Sequence, residues 1–172
     1  MLLSRPSAWL TENNTVIRLR RQLLYLGPLL AWMGVIALLS TDIGSREHTM
    51  HWAVWLLRCV LPGGQPDRMQ AQLESPVMAA RKLAHVFEYA VLAFLACRWL
   101  WFSFGQERRT WQRQGVMFSS GYAILDELHQ GWTVTRTAAV GDIAIDLLGA
   151  VLGMVLFARA VCRPRKRASR RA

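Results

Sequence analysis

The stretch GYAILDELHQGWTVTRTAAVGDIAIDLLGA, Gly121 to Ala150, decides how the chain is read. It closes one apolar run with Asp126, Glu127, His129 and Gln130, and it opens the next with Asp142 and Asp146. An ionisable group inside a membrane segment costs about 2.5–3.5 kcal/mol even on the mildest insertion scale, and such groups face a bundle interior or a wet cavity. The stretch therefore predicts helices that bring their polar ends together, and the partners must come from elsewhere in the chain.

Working outward, the 172 residues are 53% hydrophobic with a mean hydropathy of +0.19, which points to a bilayer rather than a soluble core. Four runs are long enough to cross about 30 Å of hydrocarbon at 1.5 Å per residue: Gln22 to Ser40, Lys82 to Phe104, Gln114 to Gln130 and Ala139 to Val161. The third is polar in its last turn. The first follows Arg18, Arg20 and Arg21 like the start of a signal peptide, yet no clean small-x-small site follows Ser40, so a retained signal anchor is expected. Pro28 is a candidate kink that neighbouring helices can accommodate.

The connection from Thr41 to Arg81 is too long to be an empty loop. Its portion MHWAVWLLRCVLP is too short to span, and Trp52 and Trp55 suit the headgroup level, so a short helix lying in the interface is expected there. PGGQP then breaks it. The fold class is thus all-α: a four-helix transmembrane bundle with a short interfacial helix between the first two spans. The chain divides into a basic N-terminal segment (1–21), a membrane domain (22–161) and a basic tail (162–172).

The net charge of +10 is unevenly spread, with seven of the 21 Lys and Arg between Arg159 and Arg171 and no acid among them. A basic tail directly after an apolar helix fits anionic headgroups better than nucleic acid. With four crossings, one side holds Arg5, Arg18, Arg20, Arg21, Arg108, Arg109, Arg113 and the seven of the tail, fourteen in all; the other holds Arg46, Arg58, Arg68, Arg81, Lys82 and Arg136, six. The positive-inside rule then puts both termini in the cytoplasm of a multi-pass protein. Arg98 can snorkel to the cytoplasmic headgroups, where the run WLWFSF (Trp99 to Phe104) reads as an aromatic belt. Cys59, Cys97 and Cys162 fall at three depths, so no intramolecular disulfide is expected.

That orientation gathers the intramembrane acids and histidines near the outer surface. Residues three and four apart share a helix face, so His85 with Glu88 and Tyr89, Asp126 with His129 and Gln130, and Asp142 with Asp146 form three short polar patches that can meet if their helices pack. Lys82, Arg81 and Arg136 supply counter-charges at the rim, and Gly149 and Gly153 would let the last helix approach another closely. Four readings stay open. The patches hold the helices in register; or they bind a polar ligand from outside, with Arg136 pairing a carboxylate or phosphate. They hold a metal, for which no tight ligand spacing exists; or they catalyse, with His85 or His129 as general base, which the residue types allow and the spacing does not require. No cofactor is implied. His48 and His51, beside the two tryptophans, read as headgroup contacts.

The elements KLAHVFEYAVLAFL, LDELHQ, TRTAAVGD and DLLGAVLG, in this order over about Lys82 to Gly153, resemble the VanZ-like family of small integral membrane proteins. The resemblance carries polar positions onto Lys82, His85, Tyr89, Asp126, Glu127, Gln130, Arg136 and Asp142; Asp146 departs from it, since the family usually has Asn there. The family takes its name from a protein linked to teicoplanin resistance. The resemblance implies a cell-envelope role at the outer face of a bacterial inner membrane, with membrane lipids or a lipid-linked envelope intermediate as partner, and it supplies no reaction.

Overall fold

The computed structural model describes residues 14–41, 44–60, 65–105, 107–131 and 140–161. These form five helices and, among the described residues, no strand: α1 (Asn14–Leu39), α2 (Arg46–Val60), α3 (Pro66–Phe104), α4 (Arg108–Gly131) and α5 (Val140–Val161). Three of them are long and apolar enough to cross a membrane, over Gln22–Leu39, Asp67–Phe104 and Gly141–Val161. α4, at 24 residues, is long enough, but its arginines at one end and Asp126, Glu127, His129 and Gln130 at the other make it too polar for that set.

α3 is the axis of the molecule, since α1, α2, α4 and α5 all pack against it and α5 does so most extensively. Its start differs from the expected Lys82, because the helix begins sixteen residues earlier at Pro66. Proline at the first helical position surrenders an N–H that has no partner anyway, and Asp67 in the first turn favours the positive end of the helix dipole. Met69 and Val77 are buried at helical spacing, with Leu73 half-buried between them, and α2 packs on this arm with its own Met50 buried. An apolar stripe thus overrides Pro76, which reads as a break in sequence but lies inside the helix. The helix stops at Gly105, whose φ of 60° is left-handed and whose N–H caps the Trp101 carbonyl at 3.1 Å. At 39 residues, α3 is about 58 Å long, nearly twice the hydrocarbon thickness.

The expected helix in MHWAVWLLRCVLP is α2, which starts earlier, at Arg46, because Ser45 caps it: the His48 N–H donates to Ser45 Oγ at 3.3 Å. Arg81 donates to the Gly44 carbonyl, tying the α1–α2 connection to α3. Arg46 pairs with Glu74, an exposed ion pair of little worth to stability.

Helix directions follow from which residues meet. His85 faces Asp146, Val86 faces Gly149, Ala90 faces Gly153 and Phe94 faces Phe157, a nearly constant offset that makes α3 and α5 parallel. Gly149 and Gly153 lie so close to the Val86 and Ala90 carbonyls that a Cβ at either would collide with backbone, so the paired glycines do bring the last helix into close approach. Along α4 the partners run the other way, Trp111 meeting Trp101 and Asp126 meeting Tyr89, so α4 is antiparallel to α3. α1 is antiparallel to α3 as well: Gln22 accepts from the Trp99 indole at 2.9 Å, and the Trp32 indole donates to the Glu88 carbonyl at 2.9 Å.

The core has two parts. Leu29, Ile36, Tyr89, Leu92, Ala96 and Ala123 fill the space between α1, α3 and α4. Cys97, Leu100, Trp111, Phe157 and Ala158 close the opposite end. The run expected as an aromatic belt serves partly here: Trp101 packs on Trp111, while Phe102 stacks on Tyr25 with Arg98 over the same ring at 4.7 Å. Arg108, Arg109 and Arg113, expected in a loop, lie in the first turns of α4. Cys59 is exposed and Cys97 buried, both unbridged.

Candidate functional site

The polar patches of α3, α4 and α5 meet at one end of the bundle, although their closest partners lie across helices rather than within each patch. Asp146, 2% exposed on α5, accepts from Nδ1 of His85 on α3 at 3.1 Å. Asp126 on α4 is also buried and serves two helices at once. Its Oδ2 accepts from the Tyr89 hydroxyl at 3.4 Å, and its Oδ1 accepts from Ser40 at the end of α1. Each carboxylate oxygen of Asp126 therefore has a donor, as a buried anion requires. Tyr89 lies in the fields of both Asp126 and Asp146, which joins the two pairs into one cluster. Asp142, half-buried in the first turn of α5, lies in electrostatic reach of His85 and Asp146.

Of the remaining expected residues, Glu127 is buried beside Asp126, and Glu88 is half-buried one turn from His85. Lys82 and His129 are exposed and, among the described residues, make none of the cluster's hydrogen bonds. Arg136 lies outside the described residues, as does the side chain of Gln130. Ser40 is the residue that sequence reasoning missed. A serine ending an apolar run gives no hint of a partner 86 residues away.

An open cavity of about 340 Å³ lies beside this cluster, between the end of α1, α2 and α3. Ser40, Thr49, Arg81, His85 and Glu88 give its lining polar groups, and Leu39, Ala80 and Ala84 give it apolar ones. With Asp146 as carboxylate and the imidazole neutral, Nδ1 of His85 is the donor and Nε2 is left as an acceptor. Among the described residues Nε2 has no hydrogen-bond partner. Asp146 thus fixes the ring of a histidine that lines the cavity together with a guanidinium and a carboxylate. Among the described residues no group of three or more His, Cys, Asp or Glu has the geometry to hold a metal ion.

A model of the family described as VanZ/LLP1 matches residues 25–162 of the 172. The chain belongs to the VanZ-like family. For a VanZ-like protein, the extent of that match is informative: it takes in α1 and α2 as well as the polar helices, so Ser40, Thr49 and Arg81 fall inside the family region. No curated protein and no solved structure matches the chain.

Proposed function

We propose that this VanZ-like chain is a four-pass protein of a bacterial inner membrane, with both termini cytoplasmic, that binds an envelope lipid or lipid-linked intermediate in the cavity beside His85. Two arguments support the topology. If α3 and α5 both cross, being parallel, the chain must cross back between them, and α4 is the segment that runs the return. The fourteen-to-six division of basic residues then sets the orientation. α2, with Trp52 and Trp55 exposed, rests at the outer headgroup level on this reading.

The observation that carries the binding reading is the oriented His85. A histidine used only to hold register has no need to line a cavity, whereas here His85, Arg81 and Glu88 line one together with Leu39, Ala80 and Ala84. That mixed lining suits an amphiphile, with a polar head on the polar groups and an acyl chain on the apolar ones. Mass spectrometry of lipids that co-purify with wild type, His85→Gln and Arg81→Gln, at matched thermal stability, tests it. A polar lipid retained by wild type and lost from both variants is the expected result; identical lipid profiles overturn it. For a lipid-linked cell-wall intermediate, expression also changes susceptibility to teicoplanin, which inhibitory concentrations in matched strains carrying wild type or His85→Gln would register.

The same pair favours a second reading, acid–base chemistry on the bound molecule. A carboxylate that orients a histidine at the lining of a cavity is an arrangement suited to accepting a proton. Consumption of the retained lipid by wild type and not by His85→Gln would move the assignment from binder to enzyme.

A further inference from the structure

The opposite end of the molecule carries a groove that neither reading uses. It has a volume of about 350 Å³ and is lined by Arg109, Thr110, Arg113, Gln114 and Met117, all on one face of α4. Arg109 and Arg113 are one helical turn apart, so their guanidinium groups share that face. Both are exposed, and among the described residues neither has an ion-pair partner. Thr110 and Gln114 add a hydroxyl and an amide between them, and the next turn is apolar, with Met117 at 67% and Phe118 at 38% exposure.

Depth decides what such a surface meets. Arg109 precedes Asp126 by seventeen residues of continuous helix, about 26 Å along the axis and close to the hydrocarbon thickness. With the acidic cluster at one boundary of the bilayer, the two arginines sit at the other. Other positive groups gather at this end: Arg98 over Tyr25, and Arg159 in the last turn of α5. Along α4 the groove thus passes from cations through neutral polar groups to apolar side chains, the order of groups in a phospholipid read from phosphate to acyl chain. Basic grooves at this level of a helical membrane protein take anionic headgroups.

We infer that the Arg109–Arg113 face of α4 is a site for an anionic phospholipid, whose phosphate lies between the two guanidinium groups and whose acyl chain runs past Met117. The site is independent of the His85 cavity and stands or falls separately from it.

The test uses the full chain in nanodiscs of phosphatidylcholine with increasing phosphatidylglycerol, followed by native mass spectrometry of the lipids that stay bound after release into detergent. Wild type should retain phosphatidylglycerol over phosphatidylcholine, and the double variant Arg109→Gln plus Arg113→Gln should lose about 30-fold in that preference, as expected for two basic groups at a membrane surface. Arg58→Gln, a change to an exposed arginine on α2, should leave it intact. Equal retention of both lipids by wild type overturns the proposal, and so does an unchanged preference in the double variant. A third outcome does so as well: displacement of the lipid by millimolar glycerol phosphate, which would mark a site for soluble anions. Since both substitutions are on an exposed face, folding is checked by thermal unfolding, and Arg109→Lys plus Arg113→Lys should restore most of the preference if charge is the cause.

Discussion

At one end of the bundle α3 meets its neighbours through His85 with Asp146 and Tyr89 with Asp126 and Ser40; at the other it meets them through rings. There Phe94 and Trp111 both stand edge-on to Phe157, at 5.3 and 5.2 Å between centroids, and Trp101 stands edge-on to Trp111 at 6.0 Å. The aromatic end accepts an imperfection that the polar end does not. Trp111 is fully buried with its indole N–H unpartnered among the described residues, while both oxygens of Asp126 are provided for. Ring packing holds through contact area, which is large and forgiving of direction, with an added preference for edge-to-face pairs. Polar pairing inside a membrane protein contributes less energy, averaging about 0.6 kcal/mol per hydrogen bond, but it depends on direction and so specifies one register and one orientation of each ring. Strength and specification are therefore placed at opposite ends of the same four helices.

The comparison breaks first at Trp111. Trp111→Ala should cost about 3–5 kcal/mol of stability and leave lipid retention at the His85 cavity unchanged, as read by denaturant unfolding in detergent and by co-purified lipid. If retention falls as far as stability, the two ends are not separable. Next is the seam between them. Gly153→Ala sets a methyl group against the Ala90 carbonyl, and since backbone cannot yield as a side chain can, about 1–3 kcal/mol or more should be lost. Gly121→Ala, inside α4 with open space around it, should instead gain up to about 1 kcal/mol in the same melts.

Smaller effects sharpen the distinction. Asp146→Asn keeps an acceptor for His85 and removes the charge, so stability should move by no more than about 1 kcal/mol while lipid retention falls about tenfold. A stability loss with retention intact would return Asp146 to a packing role. Tyr89→Phe is expected to cost least, about 0.6 kcal/mol, because Asp126 keeps its Ser40 donor; a double-mutant cycle with Ser40→Ala should show coupling, since both hydroxyls serve one carboxylate.

Much of this contrast was legible before any coordinates. Membrane cost suggested that the patches holding Asp126, Asp146, His85 and Tyr89 meet if their helices pack, and the Gly149–Gly153 spacing pointed to a close helix approach. What spacing could not encode was pairing across helices. Residues on one face of α3 were read as one patch, yet His85 turns to α5 and Tyr89 to α4, a choice made by where those helices lie. Ser40 and the cavity were invisible for the same reason. The early start of α3 was not legible in the sequence, because Pro66 to Arg81 reads as part of the connection between two spans and the arm is held by α2, whose packing the sequence does not show. Arg98 was correctly seen at the edge of its helix, but its resting place on Tyr25 depends on a ring from α1.

The parallel pairing of α3 and α5 also sets an order in time. His85 and Asp146 are 61 residues apart in the chain, so during synthesis at about 5–20 residues per second the histidine waits roughly 3–12 seconds for its carboxylate. Asp126 is made 20 residues before Asp146, so for the last stretch of that interval, roughly 1–4 seconds, α3 and α4 can already be closed on Tyr89 and Asp126 while the cavity side is unfinished. The emerging α5, smooth along Gly149 and Gly153, then slides against a surface already formed, and the site comes into being only as the last helix arrives.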